Sequence, residues 1–192
     1  MAEPALLFAA ELLLLAQPVR AAIFDVDGVL TDGRIYLSER GEEFKAFSTL
    51  DGHGLKLLAR AGIEPMIISG RDSAALRRRA ADLGVTRVSF GAADKLATAE
   101  NLLEPLKLKW SQVAAMGDDW PDLPLLRRAA LSCAPPGAHA EVKAACTYVT
   151  SAPAGYGAAR EFCDLLLMAS GRYVELLHEP LHTLDAAARE RS

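Results

Sequence analysis

The chain has 192 residues, 51% of them hydrophobic, and a formal net charge of −4 at neutral pH. That length suits one globular domain with a sizeable core. The mild charge and dispersed basic residues exclude an obvious nucleic-acid or anionic-membrane partner, and Arg77-Arg78-Arg79 reads as a solvated helix face.

The first twenty residues hold two apolar runs, Leu6–Ala10 and Leu12–Ala16, that superficially look like a leader. No Lys or Arg precedes them, Glu11 interrupts them, and the stretch is too short to span a bilayer. We expect residues 1–18 to form a short amphipathic helix packed on the domain or on a neighbouring subunit, in a cytoplasmic protein. Three widely spaced cysteines without a CxxC pair fit free thiols in a reducing compartment.

Beyond Arg20, short apolar runs alternate with helical patterns. Ala21–Phe24, Pro65–Ile68 and Val113–Met116 read as buried strands, Val85–Phe90 and Leu131–Ala134 as weaker ones, and Thr147–Val149 as an edge strand. Helices are expected over Gly54–Ala61, Ser73–Leu83, Lys95–Leu106, Pro121–Ala129 and Ala158–Ala169. Asp72 or Ser73 is available as an N-cap, and Gly84 and Gly171 as stops. The alternation predicts an α/β domain over residues 19–171: a doubly wound parallel sheet with helices on both faces and the ligand at the carboxyl ends of its strands. One insertion, residues 33–47, departs from this rhythm. Arg34–Leu37, a glycine-containing turn at Ser38–Gly41 and Glu42–Phe47 predict a β-hairpin. Residues 172–192 read as a C-terminal tail.

The chemistry concentrates in Phe24-Asp25-Val26-Asp27-Gly28-Val29-Leu30-Thr31-Asp32-Gly33, where an apolar strand runs into two carboxylates one residue apart. Burying like charges is costly unless a divalent cation offsets them, and strand alternation sends both side chains the same way. Three further signals follow later strands. Ser69-Gly70-Arg71 offers a hydroxyl and a free amide suited to phosphate oxygens, and Lys95 a compact cation. Gly117-Asp118-Asp119, with Asp122 one turn on, supplies hard oxygen ligands of the kind magnesium prefers. Taken singly, Ser69-Gly70 is more often a plain turn, Lys95 a solvated residue, and Asp118 and Asp119 capping acids about as often as ligands. In this order, each after a strand, they form a set.

That set, Asp25-x-Asp27-Gly28, Ser69-Gly70, Lys95 and Gly117-Asp118-Asp119-x-x-Asp122, resembles the four motifs of the haloacid dehalogenase superfamily. Asp25–Gly33, Gly41–Phe47, Asp51-Gly-His-Gly54, Ser69-Gly-Arg71 and Gly157–Glu161 are similar to blocks of the 3-deoxy-D-manno-octulosonate 8-phosphate phosphatases, over about Val19 to Gly171. The resemblance implies a Mg²⁺-dependent phosphatase of lipopolysaccharide precursor synthesis that works through an aspartyl phosphate. In it Asp25 would be the nucleophile and Asp27 the general acid and base. Asp25, the Asp27 carbonyl and Asp118 would bind Mg²⁺, with Asp119 and Asp122 orienting water or Lys95. Ser69, Gly70 and Lys95 would hold the phosphoryl group and Arg71 the substrate carboxylate.

Leu50 and Tyr156 depart from the basic or small polar residues expected before Asp51 and Gly157, which leaves a nine-carbon keto-deoxy sugar acid phosphate, or another small monoester, as an alternative substrate. A catalytically silent binding module on the same fold is a third possibility, opposed by the complete set of acids and lysine. Two decoys fall away. An EF-hand loop would not place Val29 and Leu30 after Gly28, and Pro180 would break the helix that His178-Glu179-Pro180-Leu181-His182 needs to act as a zinc site. The segment from Asp27 to Ser69 holds only the hairpin and one helix, and that from Ser69 to Lys95 only one helix and a short strand, so neither can fold as a separate cap domain, which needs at least about 40 residues to itself. The apolar hairpin therefore predicts a homo-oligomer, and the resemblance implies a tetramer. A neighbour's hairpin, or the tail from Arg172, would help to cover each site.

Overall fold

Strand β1, Ala21–Phe24, is the spine of the molecule, buried at all four positions. The computed structural model describes residues 4–39 and 41–179. In chain order, α1 (Ala10–Ala16) precedes β1, and the hairpin β2 (Tyr36–Ser38) and β3 (Gly41–Phe44) follows it. Then come α2 (Thr49–Arg60), β4 (Glu64–Ser69), α3 (Ala74–Leu83), β5 (Arg87–Phe90), α4 (Lys95–Leu103), β6 (Val113–Met116), α5 (Leu123–Arg128), β7 (Leu131–Ala134), α6 (Ala140–Ala145), β8 (Tyr148–Val149) and α7 (Ala158–Ala169). Residues 173–179 are helical; the rest of the expected tail, with the end of the His178–His182 segment, lies outside the described residues.

Among the described residues six strands form one parallel sheet in the order β5-β4-β1-β6-β7-β8, and the hairpin pairs only with itself. Alternation along β1 explains the two layers. Ala22 and Phe24 join a core with Leu55 and Leu58 of α2, Leu76 of α3, and Phe162, Leu165 and Leu166 of α7. Ala21 and Ile23 join the opposite core with Ala99 and Leu103 of α4, Leu125 and Leu126 of α5, and Val142 of α6. The strands read as apolar runs because both faces are covered. β4, β1 and β6 are neighbours in register, Phe24 opposite Ile67 and Met116, so the loops after them emerge side by side.

Several boundaries differ from expectation. α2 begins at Thr49, five residues before Gly54, because the Ser48 side chain accepts from the Asp51 amide and caps it. α4 ends at Leu103 and continues as a 3₁₀ turn over Glu104–Leu106, where Pro105 removes a helix donor. The segment expected as one helix from Pro121 opens as a 3₁₀ turn, Trp120–Asp122, before α5. α6 was not anticipated. α3 fits closely, with Ser73 as cap and Gly84 in the left-handed region at φ 72°. At the N-terminus only Ala10–Ala16 is helical among the described residues; Ala16 is buried, and Phe8, Leu12 and Leu13 pack against the α7-side core. Among the described residues no helix is long and apolar enough to cross a membrane.

Candidate active site

Asp25 directly follows β1, its amide donating to the Met116 carbonyl at 3.0 Å. This places a carboxylate at the carboxyl end of the central strand, with its side chain 9% exposed. Lys95, the first residue of α4, reaches across from the next crossover; its Nζ lies 2.8 Å from Asp25 Oδ1 and donates to Asp122 Oδ1 at 2.6 Å. Asp122 is buried and fully used: its Oδ2 accepts the amides of Asp118 and Asp119 at 3.1 and 3.3 Å. Asp122 therefore orients its neighbours. Asp118, by contrast, has carboxyl oxygen to offer beside Asp25.

Two glycines make this crowding possible. Gly28 sits at φ +88°, and a Cβ there would lie 2.1 Å from Asp118 Oδ2. A Cβ on Gly117 would lie 2.5 Å from the Asp122 side chain. Each glycine leaves the space one acid occupies.

One ammonium faces three carboxylates, Asp25, Asp118 and Asp122, whose ligand atoms all lie within 4.8 Å of one another. Burial pushes Asp25 up to about 6, aided by Asp122 and opposed by Lys95. Burial pushes Asp118 up to about 8, with the charges of Asp25 and Asp122 adding to it. Burial disfavours the charged form of Lys95, but Asp25 and Asp122 outweigh it and raise its pKa. Without a cation, protons take up part of the excess negative charge. An all-oxygen cluster of this sign fits a hard divalent ion.

Asp27 lies on the same pocket, bound differently. Its Oδ1 accepts from Lys45 Nζ at 2.6 Å, with Thr31 Oγ1 3.5 Å away. Its Oδ2 is buried, has no hydrogen-bond partner among the described residues, and sits 3.8 Å from Arg71 Nε. Ser69 ends β4; its Oγ accepts the Arg71 amide at 3.1 Å, which leaves the hydroxyl proton free to donate outward. Gly70 is exposed, and a Cβ there would meet only the Ala92 carbonyl, at 3.8 Å. A pocket of about 600 Å³ gathers Asp25, Asp27, Ser69, Gly70, Arg71, Lys95, Asp118, Asp119 and Asp122, so all nine residues singled out in the sequence meet in one place.

Three particulars were not anticipated. Lys45, within the quoted Gly41–Phe47 block, sends a fully buried side chain to Asp27. Its signal was a single cation between Phe44 and Phe47. Asp51 caps α7, accepting the Arg160 amide at 2.8 Å and the Gly157 amide at 3.3 Å, so the Asp51 and Gly157 blocks meet as architecture. Leu50 and Tyr156 line a separate pocket of about 400 Å³ with Asp32, Phe47 and Thr49, and neither borders the pocket around Asp25.

Comparison with known proteins agrees with this geometry. The 3-deoxy-D-manno-octulosonate 8-phosphate phosphatase of Escherichia coli K12 is 42% identical over 166 residues, 86% of this chain and 88% of that protein. The chain belongs to this phosphatase family. Residues 87–161 also match the haloacid dehalogenase-like hydrolase profile. Among solved phosphatases of the family, that from Moraxella catarrhalis, in complex with a magnesium ion, a phosphate ion and a KDO molecule, has a TM-score of 0.84 at 37% identity, covering 87% of this chain and 96% of its own. The cobalt-bound enzyme from Haemophilus influenzae has a TM-score of 0.81 at 39% identity, covering 83% and 93%. The six-stranded parallel sheet with flanking helices is the fold the chain shares with these phosphatases.

Proposed function

We propose that the chain is a Mg²⁺-dependent phosphatase that hydrolyses 3-deoxy-D-manno-octulosonate 8-phosphate to the free sugar acid and phosphate, in lipopolysaccharide precursor synthesis. The observation that carries this is the contrast between two neighbouring carboxylates. Asp25 is bracketed by Lys95 and the Asp118 carboxylate, whereas Asp27, on the same pocket, keeps one buried oxygen without a hydrogen bond among the described residues.

In the proposed reaction, Asp25 attacks phosphorus while the bond from phosphorus to the sugar oxygen breaks. Asp27 delivers a proton to that departing oxygen. Water then attacks the aspartyl phosphate, Asp27 takes its proton, and phosphate leaves with the Asp25 carboxylate restored. The Ser69 hydroxyl, the Gly70 amide and Lys95 hold the phosphoryl oxygens. Arg71, over half exposed at the pocket edge, is placed to receive the substrate's carboxylate. Mg²⁺ would be held by Asp25, the Asp27 carbonyl and Asp118, and would neutralise the repulsion between nucleophile and phosphate. Asp119 would orient water around the ion, and Asp122 orients Lys95.

The domain assignment follows from the same proposal: residues 19–171 as the phosphatase domain with its hairpin at 33–47, flanked by an N-terminal helical segment, 1–18, and a tail, 172–192. We place it in the cytoplasm, as a homotetramer. Support for assembly comes from the hairpin, where Tyr36 stacks on Phe44 with ring centroids 4.5 Å apart and Leu37 is 70% exposed.

A panel of phosphate esters, assayed with Mg²⁺ and with chelator, tests the proposal. We expect kcat/KM for the eight-carbon sugar acid phosphate to exceed that for a nine-carbon analogue by at least about tenfold, the scale set by one misfitted group. Chelation should abolish turnover, and Mg²⁺ restore it. Equal or better turnover of the nine-carbon ester would move the substrate assignment, and no turnover of any ester with Mg²⁺ would end it.

A further inference from the structure

Lys45 is the last residue expected in a catalytic pocket, because it belongs to the hairpin that stands outside the main sheet. Its side chain is nonetheless 0% exposed, and its ammonium meets Asp27 Oδ1 at 2.6 Å. A fully buried ammonium is expensive to hold unless it is paired, so the contact is a built feature of the fold. The geometry around Asp27 divides its two oxygens. Oδ1 is occupied by Lys45, with Thr31 Oγ1 close by; Oδ2 is buried, lies 3.8 Å from Arg71 Nε, and has no hydrogen-bond donor among the described residues.

We propose that Lys45 is a positioning residue that fixes the Asp27 carboxyl so that Oδ2 faces the leaving oxygen. The inference rests on the role proposed for Asp27. An aspartate has only two side-chain torsions, and the terminal one is broad and nearly two-fold. The two oxygens are distinguished by Lys45 on Oδ1, with the longer approach of Thr31, and by Arg71 Nε 3.8 Å from Oδ2, too far for a hydrogen bond. By tying Oδ1 to the hairpin, Lys45 removes the alternative in which the carboxyl rotates away from the pocket. Proton transfer to a departing oxygen depends steeply on such alignment. The hairpin thereby takes a part in catalysis although it covers little of the site itself.

The test uses full-length Mg²⁺-loaded enzyme and two leaving groups. An alkyl phosphate needs its departing oxygen protonated; 2,4-dinitrophenyl phosphate releases a stable phenolate and does not. We expect Lys45→Met to slow alkyl phosphate turnover about 100-fold, within the range general acid–base catalysis supplies, with KM nearly unchanged. The burst of dinitrophenolate, which reports formation of the aspartyl phosphate, should fall less than about threefold on the same reasoning. In an Asp27→Ala background, adding Lys45→Met should change neither rate further. Equal losses for both leaving groups, or an undiminished Lys45 effect without Asp27, would overturn the proposal. Lys45→Leu, which likewise places no donor at Asp27, carries the same expectations should Lys45→Met not fold. The phosphatase proposal is judged separately, by whether the unsubstituted enzyme turns over the alkyl ester with Mg²⁺.

Discussion

Two regions of this molecule bury aspartates from motif blocks, and they do so on opposite terms. At the seam between α2 and α7, Asp51 is 1% exposed, and its two oxygens receive the amides of Arg160 and Gly157. Burial raises its pKa, and those amides pull it back. At the carboxyl end of β1, buried Asp25 and half-buried Asp118 lie beside one another and beside buried Asp122, with Lys95 as the nearby cation. There burial and like charge act together, up to about 6 and about 8. A buried carboxylate surrounded by amide donors holds two helices together. Buried carboxylates left in excess await a cation and a substrate.

The comparison breaks first at Asp25. Asp25→Asn keeps the volume and removes the charge, so the protein should still fold while turnover falls by about 10⁴-fold or more, as for loss of a nucleophile. Single-turnover assays on Mg²⁺-loaded protein would measure it. Near-normal turnover would dismiss the aspartyl-phosphate mechanism.

Asp51 should give the reverse pattern. Asp51→Ala strands two amides at the start of α7 in a buried seam, at a cost of about 1–3 kcal/mol. For a chain of this length that lowers the melting temperature by roughly 2–10 °C. Turnover per folded molecule should stay within about threefold, because no reacting atom is touched. A large loss of kcat with an unchanged melting temperature would instead put Asp51 in the chemistry.

The same contrast explains what the sequence made legible. Strands β1 and β6 and helix α7 were readable to the residue, because parallel strands covered on both faces appear as unbroken apolar runs and α7 is flanked by Gly157 and Gly171; β7, interrupted by Ser132, was the weaker signal with the same bounds. The site residues were readable because each follows a strand end, and adjacent parallel strands bring those ends together. What stayed hidden depends on contacts between distant residues. The early start of α2 runs through Gly52 and Gly54, poor helix formers, and is held by the Ser48 cap and by packing on α7. Helix α6 has only six residues, too few to show a period. The Lys45–Asp27 pair joins positions 18 apart across a hairpin with an irregular register between Tyr36 and Leu37. Whether a buried aspartate is architectural or catalytic is not a property of its motif either; its donors decide it.

The smallest effect sharpens the comparison most, because it reads the excess charge directly. Asp118 takes up its proton near pH 8 when folded and near the ordinary carboxylate value of 3.8 when unfolded. Between those values the folded protein binds more protons than the unfolded one, so stability falls as pH rises and is lowest once Asp118 has ionised. Asp25 adds a similar slope, but only up to about pH 6. From pH 6 to 8, therefore, the pH dependence that separates the wild type from Asp118→Asn belongs mainly to Asp118. In chelator at pH 8, Asp118→Asn should melt about 2–4 °C above the wild type, the shift that a 1 kcal/mol difference gives in a chain of this length. At pH 6 the gap should be smaller, because the penalty builds up from about pH 4 to about pH 8 and closes only below the lower value. Saturating Mg²⁺ should reverse the order, since the ion stabilises only a site that retains its ligand. Calorimetry at the two pH values, with and without Mg²⁺, would measure all four cases. Parallel curves in chelator would show that Asp118 carries no surplus charge, and the distinction between the two kinds of buried aspartate would then rest on Asp25 alone.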